Sequence, residues 1–122
     1  MSKSNTFEND LLQLIFNNVD IADIGDAAGI QNSAVAGSLY LALHTADPGE
    51  SGTATTSEAA YTGYARVAVA RSGAGWTVSS NNVTNAADIV FPTSSDGPEV
   101  ETHWSICKES SGASVILYKG AL

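Results

Sequence analysis

From Gly63 to Leu122 the chain alternates short runs rich in aromatic, Ile, Leu and Val residues with Gly, Ser, Asn and Pro turns. Such runs are too brief for the roughly 10–12 residues of 3.6-residue periodicity that a packed helix needs, and they match the signature of antiparallel strands. Strands are predicted over 64–70, 76–78, around Val83, and over 89–91, 100–107 and 114–118. They are separated by the Ser-Gly-Ala-Gly turn before Trp76, a turn over 79–82, a polar loop with the Asp96-Gly97-Pro98 breaker, and a hairpin loop over 109–112. Leu39, Leu41 and Leu43 alternate with Tyr40, Ala42 and His44, which predicts one more strand upstream over 39–45.

That strand stops at Asp47-Pro48-Gly49, where Asp can bond nearby amides, Pro fixes φ and Gly accepts positive φ. The following residues complete a Gly/Ser/Thr/Ala loop over 46–60. Loops longer than about 12–15 residues are uncommon in compact domains unless they serve a function, so 46–60 is expected to be an arm that orders against a neighbouring subunit. Upstream, Phe7, Leu11, Leu14 and Ile15 recur at helical spacing, and Asn5 with Glu8 three residues on suggests a capped helix over 5–17. Residues 19–38 have no sustained period and read as irregular, with one helical turn around 26–28. The expected architecture is mainly β: a single-domain antiparallel β-sandwich or small barrel of six or seven strands with a short N-terminal helix.

Composition narrows the work such a fold can do. The 122 residues are 43% hydrophobic but only 15% charged, below the roughly 25% of ordinary soluble domains, so Ser, Thr, Asn, Gly and Ala must cover much of the surface. A weakly charged surface packs closely against copies of itself. The net charge is −8, and the cations Lys3, Arg66, Arg71, Lys108 and Lys119 are scattered. Phosphate neutralisation needs clustered Lys and Arg, so direct nucleic-acid binding is disfavoured. No segment approaches the ~18 apolar residues of a membrane span and no secretory leader is legible, which points to a chain made and folded in the cytoplasm with no membrane partner.

The side chains able to exchange protons near neutrality are His44, His103 and Cys107. His103 and Cys107 lie four apart in a predicted strand, on one face with Glu101 and Ser105, which allows a Cys–His pair. No nucleophile turn or family motif surrounds the cysteine, and a buried thiol acting as a small apolar residue is the simpler reading. Asp20, Asp23 and Asp26 are three apart, whereas calcium loops space ligands by two and add a bidentate Glu, so a solvated acidic stretch is the better description. Gly73-Ala74-Gly75 lacks the following helix of a phosphate loop and says turn. Asn82-Val83-Thr84 satisfies the glycosylation rule but is most simply a hairpin sequence. Tyr61, Tyr64, Trp76 and Trp104 lack a basic groove beside them, which favours core packing and subunit contact over stacking on bases or sugars. No catalytic residue, cofactor or metal is expected.

Five segments in order carry a family resemblance: LYLALHTADP at 39–48, Gly-Tyr-Ala-Arg at 63–66, the Asn-x-Ala-x-Ile-x-Phe-Pro type stretch at 85–92, Thr-His-Trp at 102–104, and Leu-Tyr-Lys-Gly-Ala-Leu at 117–122. Together they resemble small bacteriophage virion proteins of the tail-fibre-like or head-decoration kind. The resemblance implies a virion structural protein with no catalytic residues. The expectation is a capsid decoration (cement) protein on the head surface, binding the major capsid protein and copies of itself as a trimer or dimer, with a tail-tip or tail-fibre component in host attachment as the alternative. The expected contact residues are Phe7 and Leu11 on the helix, Asp47 and Pro48 in the long loop, Tyr61 and Tyr64 beside it, and Pro92 and Pro98 in the 92–99 loop.

Overall fold

A computed structural model describes all of residues 1–122 and shows a mainly β protein with one helix. In chain order the elements are α1 (Asn5–Asn17), β1 (Ser38–His44), β2 (Val67–Ala70), β3 (Trp76–Ser79), β4 (Asn82–Asn85), β5 (His103–Cys107) and β6 (Ile116–Ala121). They form a four-stranded sheet in the order β2-β1-β5-β6 and a two-stranded sheet of β3 and β4. Neither sheet closes into a barrel, which removes that alternative. The chain divides into two compact units: residues 1–38 with 70–88, and 39–69 with 89–122.

In the first unit, α1 spans the 5–17 expected, but its cap is one residue earlier. Ser4, not Asn5, is the N-cap: its backbone is extended and its hydroxyl accepts the Phe7 N–H at 3.2 Å. Asn18 ends the helix in the left-handed conformation, φ 57°, and Arg71 serves the helix's last carbonyls, donating to Leu14 and Ile15 O at 2.7 Å each. Arg71 also donates to Ala36 O, which ties the irregular 18–37 segment to the helix end. The apolar stripe of α1 packs on the β3–β4 hairpin. There Phe16 is fully buried and meets Trp76 edge-on, with ring centroids 4.9 Å apart. The hairpin pairs Ser79 with Asn82, and its two turn residues, Ser80 and Asn81, both have positive φ, as a tight hairpin with right-twisted strands requires.

In the second unit, β1 pairs antiparallel with β5 from Tyr40↔Cys107 to His44↔His103, and β5 pairs with β6. A β-bulge between Ile106 and Cys107 shifts the register. The last strand is Ile116–Ala121 rather than the 114–118 expected. Ser114 is instead buried at the base of the hairpin loop, where its hydroxyl accepts the Lys108 and Glu109 N–H groups. Trp104 faces Gly120 across β5 and β6, and a Cβ at Gly120 would stand 2.8 Å from Trp104 Cζ2. Only glycine leaves room for the indole here. Gly120→Ala is therefore expected to destabilise the unit by about 1–3 kcal/mol through overpacking, read as a lower denaturation midpoint at unchanged slope; an unaltered midpoint would refute the packing.

Three more expected strands are shorter or missing. The 64–70 and 100–107 runs shrink to Val67–Ala70 and His103–Cys107, and 89–91 forms no strand. Tyr64 and Arg66, which alternation assigns to a sheet face, instead bind Glu58 and the 109–112 loop, and Phe91 stacks on Tyr64. The long 46–60 stretch is also less free than its composition implies. Thr53 bridges Val115, Glu58 bridges His44, and Ala54 and Ala59 are buried in the unit's core.

Candidate functional site

Tyr64 and Arg66, which alternation placed on strand faces, meet residues of several loops at one corner of the second unit. Arg66 lies at its base with its side chain 2% exposed, forming a bidentate pair with Glu58: Nε to Oε1 at 2.7 Å and an outer nitrogen to Oε2 at 2.9 Å. Its remaining donors reach Glu109 O at 3.0 Å and Gly112 O at 2.7 Å. One guanidinium thus joins the long loop, the Gly-Tyr-Ala-Arg segment and the β5–β6 hairpin loop, a use of the planar donor fork that an ammonium does not reproduce. Tyr64 completes the clasp by donating to Glu58 Oε1 at 3.0 Å and accepting the Leu43 N–H at 3.1 Å. Burial, helped by the neighbouring Glu58 charge, holds the Tyr64 phenol well above the usual tyrosine range.

Above the clasp, Tyr61 meets Tyr64 edge-on at 5.4 Å, and Tyr64 stacks parallel on Phe91 at 6.3 Å. Tyr61 donates its hydroxyl to Pro92 O at 2.8 Å. Carboxylates from the following strap then fasten the turn at 60–62. Glu99 Oε1 accepts the N–H groups of Ala60 at 2.7 Å and Tyr61 at 3.2 Å. Asp96 accepts the Thr62 N–H at 3.0 Å and also its hydroxyl. These donors lower both acids, the Ala60 amide chiefly for Glu99 and the Thr62 hydroxyl chiefly for Asp96. On this same strap and just before it, Val90, Pro92, Pro98 and Val100 stand exposed, the two valines at 78% and 73%.

Tyr61, Tyr64 and Pro92 are therefore brought together, with Pro98 on the same strap. Asp47 and Pro48 lie elsewhere. Asp47 accepts the Gly49 N–H at 2.9 Å and pairs with Lys119 at 3.0 Å, and the amide followed by the ammonium lowers its pKa. Pro48 is buried within its own unit. Between 49–53 and 115–119 the loop parts from β6 to leave an open groove of about 390 Å³, with Lys119 also paired to Glu50 at its end. Phe7 and Leu11 belong to the first unit and are half-buried along α1. Sequence reasoning did not find Arg66, Glu58, Glu99 or Asp96; the one available signal was an arginine and acids interrupting otherwise apolar or turn-like runs.

The groups considered for proton chemistry are not assembled into a site. Cys107 is fully buried, with Sγ 3.4 Å from Tyr40 O, and burial pushes its thiol pKa up, away from nucleophilic thiolate. His103 Nδ1 instead pairs with its neighbour Thr102 Oγ1 at 2.9 Å. His44 is fully buried, with Nδ1 donating to Thr56 O at 2.9 Å and Nε2 2.8 Å from Ser105 Oγ, which makes it a polar strut between β1, the long loop and β5. Asp26 Oδ1 accepts the Ala28 and Gly29 N–H groups and closes a tight turn, not the helical turn expected at 26–28.

A family model described as Podophage GP4 fiber I protein gp80 matches residues 2–122. No curated protein and no solved structure matches the chain.

Proposed function

The chain belongs to the podophage GP4 fiber I protein gp80 family, which makes it a fibre-type structural protein of the phage virion, and from that premise we propose that it is a fibre component that acts by packing alone. Its partners in this reading are copies of itself and a neighbouring particle protein. The family match over 2–122 carries the reading. Supporting it, His44 and Cys107 are buried in internal contacts, while the strap and the residues just before it present exposed valines and prolines and are braced against the 60–62 turn by Glu99 and Asp96. Exposed apolar side chains on a braced backbone suit a contact face, because little conformational freedom is lost when they dock.

A second reading, head decoration through contact with the major capsid protein, is favoured by the shortness of every element. The helix has 13 residues and the longest strand seven, with none of the long coiled coil or repeat that extends a shaft. A reconstruction of the whole particle by electron cryomicroscopy tests both. The fibre reading expects this chain in a few projecting appendages, the decoration reading expects it at regular high-copy sites on the capsid, and its absence from the particle overturns both.

A further inference from the structure

We propose that Glu99 and Glu101 share one proton that fastens the 93–102 strap to the 60–62 turn, and that losing this proton releases the strap. The two acids are two residues apart on the strap and lie within hydrogen-bonding reach of each other. Glu99 and Asp96 already accept the turn's Ala60, Tyr61 and Thr62 N–H groups. Both Glu101 oxygens are nevertheless shielded from water and accept no hydrogen bond. An ionised carboxylate held in that state is costly, and with those donors engaged, a proton between the two carboxyl groups satisfies it.

The groups around the pair push the same way. Glu99 faces Glu101 from the strap, Tyr61 faces both from the turn, Asp96 acts on Glu99, and no cation acts on Glu101. Burial, then the hydrogen bond and charge of Glu99, raise Glu101 to about 7, while the amides lower Glu99, so the proton resides on Glu101 and is donated to Glu99. Tyr61, held up by burial and by both acids, stays protonated and keeps its bond to Pro92 O. The folded carboxyl holds its proton more tightly than the unfolded one. The contribution to the closed strap is thus complete below the ordinary glutamate value of 4.5, declines as pH rises, and is gone above about 7.

Amide hydrogen exchange on the full chain at about pH 5.5 and about pH 8.5, with rates corrected for intrinsic pH dependence, tests this. The Ala60 and Tyr61 amides are expected to lose about tenfold in protection at the higher pH. In Glu101→Gln the side-chain amide replaces the proton as donor to Glu99, and protection at both pH values should match that of the unaltered chain at low pH. Equal protection of the unaltered chain at both pH values, or a pH dependence surviving in Glu101→Gln, overturns the proposal. Carbon NMR of the side-chain carboxyls in the unaltered chain provides a second measurement that does not depend on the variant folding: Glu101 is expected to titrate near 7, and a midpoint at the ordinary value overturns the proposal.

Discussion

Arg66→Ala is expected to lower the stability of the second unit by about 3–5 kcal/mol, because it strands Glu58 without its cation in a largely enclosed place. Four hydrogen bonds leave with the guanidinium, two to Glu58 and two to the Glu109 and Gly112 carbonyls. Arg66→Lys is expected to recover little, since a single ammonium does not span a carboxylate and two separate carbonyls. The double variant Arg66→Met with Glu58→Met should lose less than Arg66→Met alone, the mark of a cost dominated by the unpaired charge. Urea denaturation followed by Trp104 fluorescence measures all four variants, and a midpoint for Arg66→Ala equal to that of the unaltered chain would show that the clasp contributes nothing. Because the clasp joins 58, 64–66 and 109–112, its loss should also raise hydrogen exchange in all three segments together.

The second large effect lies in the other unit. Phe16 is fully buried against Trp76, and Phe16→Ala is expected to cost about 3–5 kcal/mol from lost transfer energy and the cavity left behind. Tryptophan emission read in a Trp104→Phe background reports it, and should shift to the red as the Trp76 indole gains access to water. Trp76 Nε1 has no hydrogen-bond partner, so Trp76→Phe forfeits no hydrogen bond and should cost clearly less than Phe16→Ala. The reverse order of these two variants would mean that the helix does not dock through Phe16.

The helix, its register and most of the strands were legible in the sequence because each depends on local periodicity. The 3.6-residue recurrence of Phe7, Leu11, Leu14 and Ile15 gave α1, and the Leu39/Leu41/Leu43 alternation gave β1, each within a residue or so of its ends. The Gly73-Ala74-Gly75 turn and the 79–82 hairpin were legible for the same reason, since turn chemistry is written over two to four residues. The candidate site was not legible in the same way: Tyr61, Tyr64, Phe91 and Pro92 meet from distant segments, and nothing in their spacing predicts it.

By itself, then, the sequence determined the class: a weakly charged, antiparallel β protein with one amphipathic helix, punctuated by turn residues. Tertiary structure alone decided what interrupts the strands. Arg66 and Tyr64 read as alternating sheet residues, but Glu58 and the carbonyls at 109 and 112 draw them into a clasp, and the strand begins only at Val67. Glu101 read likewise as a strand residue and Glu99 as part of the polar loop before it, but Glu99 binds a turn some 40 residues earlier in the chain. The physical reason is the same in both cases. Period-two patterning reports which side a residue faces, whereas a charged side chain takes its partner wherever the folded chain supplies one, and that position has no local trace.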